Sequence, residues 1–200
     1  MMNCITGWAI PKHIGMALIC FGLGAPNFGR CRAPPRSGPV VQSGARLTSN
    51  TKVFFDGGDR AVIFKQLRND ISQGFAPYGV ALELFQFDGS FLSLAIDLPD
   101  SLCGTFAKDE LIGLSGEIFA ERAAGYTVRL NSKHGPNTEQ LIQAHDLNWS
   151  NIGVEFDLEH LKINVNRVEK IWFDLVFETP NFNRISLTNL AFSKRPRGEI

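Results

Sequence analysis

From Lys52 onward the pattern of apolar and polar side chains is dominated by strand-type signals, several of them alternating with a period of two. The cleanest case is VEKIWFDLVFE (168–178), where Ile171, Phe173, Leu175 and Phe177 take one face. Lys170, Trp172, Asp174 and Glu178 take the other. At 152–158, Ile152, Val154, Phe156 and Leu158 turn inward, with Glu155 and Asp157 outward. Further strands are predicted at KVFF (52–55), LIGLSGEIFAE (111–121), GYTVRLNSKH (125–134), TEQLIQAHDL (138–147) and RISLTNLAFS (184–193). VIFKQLRND (62–70) fits either a strand or a helical turn, and a short helical turn is expected around Leu158–Lys162.

Two turns are legible. In VALELFQFDGSFLSLAIDL (80–98), two apolar runs flank Asp88-Gly89. That dipeptide tolerates positive φ at both turn positions and predicts a two-residue hairpin. Phe87 would then face Ser90, Phe85 would face Leu92, and Glu83 would face Leu94. Both faces of this hairpin are largely apolar, which predicts a central place in a sheet covered on both sides. In Gly135-Pro136-Asn137, glycine permits unusual φ, proline fixes it, and asparagine tolerates the left-handed region.

Many short strands at regular spacing predict an all-β fold. The expected architecture is a two-sheet antiparallel β-sandwich of jelly-roll type, with about eight to ten strands. Short helical turns and an irregular N-terminal segment complete it. Fourteen Phe and no Met in residues 46–200 suit a core of interleaved aromatic side chains.

Composition divides the chain further. The formal net charge is zero, yet residues 1–45 hold four basic side chains and no acidic one. They also contain all three Met, three of the four Cys and half of the ten Pro. Residues 46–200 carry 16 basic against 20 acidic side chains. The expected division is therefore an irregular or disordered segment with its linker at 1–40 and the sandwich domain at 41–200. The apolar run IGMALICFGLG (14–24) is too short to span a membrane, which takes about 20 residues. No integral membrane segment is expected. Its length suits a signal peptide with Gly24-Ala25 at the cleavage point, which would make the protein secreted or periplasmic. Pro11 at its entrance and the thin positive charge argue instead for an unstructured lead-in or an out-of-place translation start. GLGAPN (22–27) has Asn27 where a dinucleotide fingerprint needs its third glycine. Cys4, Cys20 and Cys31 lack C-x-x-C spacing, and Cys103 has no partner in 46–200 for an internal disulfide. A reducing cytoplasm is favoured.

Four runs resemble, together, an uncharacterised family of alphaproteobacterial proteins: LRND (67–70), APYGVALELFQFDGSFLSLAIDLP (76–99), RLNSKHGPNTEQ (129–140) and RVEKIWFDLVFETPNFNRISLTNLAFSKRPR (167–197). The resemblance covers roughly residues 38–197. It implies a bacterial source and one β-sandwich domain, and brings no established activity or site residues. Members of that family carry a basic, helical N-terminal extension, from which the first 35 or so residues here depart. The final run, a strand, a Pro-Asn turn and ISLTNLAF, also looks like the closing strands of carbohydrate-binding jelly rolls. That second likeness is one of fold.

Candidate chemistry is sparse. No G-x-S-x-G nucleophile turn is present, and the serine of GLSGE (113–117) lies within a strand pattern. The carboxylates Asp97, Glu117, Glu139, Glu155, Asp157, Asp174 and Glu178 suit the polar face of a solvated sheet better than a glycosidase pair. His13, His134, His145 and His160 have no metal-type spacing, so neither a transition metal nor a cofactor is expected. Asp56, Asp59, Asn181 and Asn183 are weighed as calcium ligands, and turn formation explains them better. The basic tail SKRPRGEI lacks interleaved aromatic residues, which argues against nucleic acid.

One constellation suggests binding. Arg129, Asn131 and Lys133 alternate onto one face of their strand, and His134 and Asn137 flank the turn after it. If that strand shares a sheet with 168–178, the same face also holds Trp172 and Asp174. An indole stacks on a pyranose while the polar groups hold its hydroxyls. The competing explanation has Trp172 covering a neighbouring strand or packing on Arg129 through a cation–π contact. The expected function is thus a non-catalytic ligand-binding β-sandwich module, with carbohydrate the favoured ligand. A structural or protein-interaction domain with a protein partner is the alternative, and a glycan-active enzyme comes third.

Overall fold

The computed structural model describes residues 17–19, 37–40, 42–48, 50–58, 62–68, 78–105, 107–122, 124–147, 150–178, 180 and 183–197. In chain order the strands are β1 (Ala17–Ile19), β2 (Ser37–Val40), β3 (Ala45–Arg46), β4 (Thr51–Phe55), β5 (Val62–Arg68), β6 (Tyr78–Leu84) and β7 (Phe91–Asp97). After them come β8 (Glu110–Ala120), β9 (Ala124–His134), β10 (Asn137–Leu147), β11 (Ser150–Asp157), β12 (Val168–Glu178) and β13 (Arg184–Pro196). The ambiguous stretch at 62–70 is therefore strand, not helical turn, over its described residues. Val62 and Phe64 are buried, with Ile63 between them and Lys65 after them half-buried, so a period of two marks its first half.

The strands form two antiparallel sheets. The six-stranded sheet runs β10-β9-β12-β7-β4-β3, and the seven-stranded sheet runs β11-β8-β13-β6-β5-β2, with β1 beside β13. From β6 onward every connection changes sheet except the β9–β10 hairpin. This is the winding of a jelly roll, and it lets each strand bury one face between the sheets. Phe173 and Phe177 of β12 and Leu82 of β6 are fully buried there, and the Phe156 and Phe173 rings pack at 6.0 Å between centroids.

The Asp88-Gly89 link is not the expected hairpin. β6 pairs with β5 and β13, whereas β7 pairs with β4 and β12 in the other sheet. Each run is indeed central, but in a different sheet, and the link turns a corner between them. Gln86, not Gly89, has positive φ. The aspartates instead hold loop amides. Asp88 accepts from the Gly58 amide at 2.8 Å, and Asp56 accepts from the Ser90 amide and hydroxyl at 2.8 and 2.7 Å. The Ser90 hydroxyl, followed by the Phe91 amide, holds the Asp56 carboxyl below the usual carboxylate range. A Cβ at Gly89 would lie 2.5 Å from Asp56 Oδ1 and 2.7 Å from the Phe87 ring, so the glycine serves close approach.

The second turn is a true hairpin. Gly135 has φ of 59° and Pro136 follows, the II′ pattern, while Asn137 already pairs with His134 as the first residue of β10. The expected helical turn appears as a 3-10 turn at Leu158–His160, capped by Asp157, which accepts from the Glu159 amide at 3.0 Å. Ser37–Val40, within the segment expected to be irregular, pairs with β5 and buries Val40. The apolar run at 14–24 otherwise lies outside the described residues, as do Asp59 and Asn181. Asn183 is engaged with the main chain of Arg122, at 3.0 Å in both directions. No described helix is long and apolar enough to cross a membrane.

Candidate functional site

The outer face of the six-stranded sheet carries the site. On β12 the residues facing away from the core are Lys170, Trp172, Asp174, Val176 and Glu178, because the odd positions are committed to the interior. In register beside them on β9 are Arg129 opposite Asp174, Asn131 opposite Trp172 and Lys133 opposite Lys170. On the other flank β7 sets Asp97 opposite Trp172, Ala95 opposite Asp174 and Ser93 opposite Val176. β4 adds Lys52 beside Ala95 and Phe54 beside Ser93.

Side-chain size shapes this face. Ser93, Ala95 and Val176 are small and buried, and they form a floor between taller neighbours. The result is an open trough of about 650 Å³ lined by that floor and by Phe54, Phe91, Trp172, Lys52, Arg129, Lys170 and the carboxylates Asp97, Asp174 and Glu178. Phe54 is 38% exposed on one wall. Trp172, on the other, is half-buried, neither a free platform nor a core residue.

The polar groups around Trp172 are linked. Lys170 pairs with Asp97 at 2.7 Å and sets its ammonium 5.4 Å from the centre of the indole. A cation–π contact therefore exists, made by Lys170. The indole Nε1 donates to Asp174 Oδ2 at 3.3 Å, and Asn131 Nδ2 donates to the same oxygen at 2.9 Å. Burial pushes the Asp174 carboxyl above its usual range, and the donors from Trp172 and Asn131 with the nearby Arg129 charge only partly offset this. Asn131 is fully buried beneath its neighbours, and its Oδ1 has no partner among the described residues.

Of the seven residues singled out from sequence, Arg129, Trp172 and Asp174 line the trough and Asn131 supports it from below. Lys133 reaches Glu169 at 2.8 Å instead. His134 follows the inward parity of Leu130 and Ser132, and Asn137 opens β10, so neither joins the trough. Sequence reasoning missed Lys52, Phe54, Phe91, Ser93 and Ala95 as a group. The signal was present in FLSLAID, where Ser93, Ala95 and Asp97 alternate with Leu92, Leu94 and Ile96. Among the described residues no group of three His, Cys, Asp or Glu side chains is placed to hold a metal ion.

The fold has solved counterparts. The enzymatically active domain of tailspike protein 4 of bacteriophage CBA120 superposes with a TM-score of 0.52 at 9% identity, over 72% of this chain and 19% of that one. The chain thus spans about a fifth of the tailspike domain, and the likeness is one of fold. A family 11 carbohydrate-binding module from Clostridium thermocellum, in complex with a β-1,3-1,4-mixed-linked tetrasaccharide, gives 0.48 at 12% identity, covering 82% of this chain and 98% of that one. The module TmCBM61, in complex with β-1,4-galactotriose, gives 0.43 at 16% identity, covering 72% and 88%. No functionally curated protein matches the sequence. The match that does identify the chain spans residues 25–200, including all four runs that carried the resemblance, and on it the protein belongs to the family of unknown function DUF6478.

Proposed function

We propose that the trough on the six-stranded sheet is a ligand-binding face and that the protein is a non-catalytic glycan-binding module. The observation that carries this is the trough's construction: a floor of Ser93, Ala95 and Val176 between the aromatic walls Phe54, Phe91 and Trp172, with Arg129 and Asp174 at its side. Aromatic side chains with a few convergent polar groups suit a sugar, which has apolar faces and a hydroxylated rim. The carboxylates nearest the indole support binding over hydrolysis, because Asp97 is paired with Lys170 and Asp174 Oδ2 already takes two donors.

A glycan-array screen with the wild-type protein and Phe54→Ala tests this. Phe54 is 38% exposed, so its loss should cost clearly less stability than that of a core phenylalanine while lowering glycan affinity several-fold. Absence of binding to any glycan would remove the proposal.

The alternative, a protein-interaction domain, has one observation in its favour. β10 is an eleven-residue edge strand with Ile142 56% exposed, and among the described residues it pairs on one side alone. Such an edge can accept a partner strand. Ile142→Lys would weaken that association and leave the trough unchanged.

A further inference from the structure

Asp174 offers its two oxygens to different surroundings. Oδ2 accepts from Asn131 at 2.9 Å and from the indole at 3.3 Å, whereas Oδ1 has no donor among the described residues. Arg129 stands directly opposite in the β9–β12 register and also lines the trough; its Nε is buried and has no partner among the described residues, which leaves the outer guanidinium nitrogens to face a ligand. Side chains paired in this way start about 5 Å apart. Resting on the trough as a glycan site, we infer that Arg129 and Asp174 form a donor–acceptor pair for two adjacent hydroxyl groups, and that the ligand is an uncharged sugar rather than a uronate or sulfated one.

The chemistry of the pair supports the first half. A guanidinium only donates and a carboxylate only accepts, while a hydroxyl does both. Two neighbouring hydroxyls on one ring edge can therefore satisfy both groups at once. The fixed inner bonds matter, because they hold the carboxylate in one orientation before any ligand arrives.

The charges along the trough support the second half. Lys170 and Asp97 neutralise each other at 2.7 Å, and Asp174 lies beside Arg129. What remains in the lining is Lys52 and Glu178, one of each sign. An anionic sugar would have to approach Asp174, whose ionised form is already disfavoured by burial. A second negative charge there would oppose binding. Lys52 offers a single counter-charge two strands away, roughly 10 Å along the row.

The test uses Asp174→Asn. The inward donors of Asn131 and Trp172 would claim the new carbonyl oxygen and turn the amide nitrogen toward the trough. An acceptor becomes a donor with the shape unchanged. Wild-type protein, Asp174→Asn and Arg129→Gln should be titrated with neutral oligosaccharides and with uronate-containing and sulfated ones of matched length. The expected result is binding of neutral sugars, with affinity flat between about 0.05 and about 0.5 M salt. Asp174→Asn should weaken it at least about tenfold without lowering the melting temperature. Arg129→Gln should give the same loss, and serves as the check if Asp174→Asn does not fold. Tighter binding of anionic sugars, suppressed by salt and kept or improved by Asp174→Asn, would overturn the inference and leave the glycan-binding face standing. No binding from any panel would overturn the glycan-binding face, and the inference with it.

Discussion

The two outer faces of the sandwich are built from similar residues to different ends. On the seven-stranded sheet, long charged side chains stand over neighbouring strands and meet. Lys65 pairs with Glu83 at 2.6 Å, Arg195 holds Glu155 through two bonds of 2.8 and 2.9 Å, and Arg197 reaches Asp157 at 3.0 Å and also Glu159. Gly113 lies between Glu155 and the strand bearing Arg195, so nothing blocks that contact. On the six-stranded sheet, small residues occupy the middle of the face. Charged groups there stand around a trough, and Asp174 Oδ1, Arg129 Nε and Asn131 Oδ1 have no partner among the described residues. The seven-stranded face spends most of its charge in ion pairs and keeps one atom unpartnered among the described residues, Asn189 Oδ1 beside Glu117, whereas the six-stranded face gathers several such atoms around one trough. Groups held partly buried and incompletely satisfied are costly to keep unless a ligand uses them.

The largest effect should come from breaking the corner that sets one sheet against the other. Gly89→Val places a branched side chain where a Cβ alone would lie 2.5 Å from Asp56 Oδ1 and 2.6 Å from the Gly57 amide nitrogen. Backbone stands close, so little can give way, and we expect a loss of about 3 kcal/mol or more by chemical denaturation. A near-neutral result would mean that β6 and β7 keep their places without this corner. A smaller loss is expected for Trp172→Ala. Removing a fully buried Trp costs about 3–5 kcal/mol; for a half-buried ring we expect about 2 kcal/mol. A full core-sized loss would make Trp172 a packing residue, and the two faces would then differ less than they do here.

The fold was legible where alternation alone decided it. The inward faces of 168–178 and 152–158 follow the expected parity, since a strand with one buried face has no freedom to slip by one residue. The Asp88-Gly89 corner was not legible, because a turn dipeptide is compatible with a hairpin and with a crossing between sheets. Only the partners of β6 and β7 distinguish these, and they lie far away in sequence. The site divides in the same way. Arg129, Trp172 and Asp174 come from two strands whose parity was readable. Lys52, Phe54 and Ser93 belong to it only through the pairing of β4 with β7, which local sequence does not specify. Lys133 had the right parity but pairs with Glu169, which the register shift between Val168 and Lys170 leaves out of the β9–β12 ladder, an irregularity that alternation does not announce.

The smallest effects carry the sharpest contrast, because the two faces should respond to pH with opposite signs. Glu155 is held below the usual carboxylate range by the bonded Arg195 guanidinium. Its contribution to stability is present above the unfolded carboxyl pKa and is lost as pH falls through the lowered folded value. Glu155→Gln should therefore melt slightly below wild type at neutral pH, and the gap should close on acidification. Asp174 is shifted the other way, raised chiefly by burial. Between its unfolded pKa and the raised folded value the native state binds more protons than the unfolded chain, so stability falls as pH rises through that window. Asp174→Asn removes this penalty and keeps an acceptor for Asn131 and the indole. It should melt at or slightly above wild type at neutral pH, and that gap too should close on acidification. Loss of the Asp174 charge leaves Arg129 without its neighbour, which trims the gain, but the raised carboxyl already includes that attraction. Thermal unfolding of the three proteins from neutral to acidic pH measures both differences together. Two gaps of opposite sign would mean that one face is charged for stability and the other despite it; two of the same sign would erase the distinction between them.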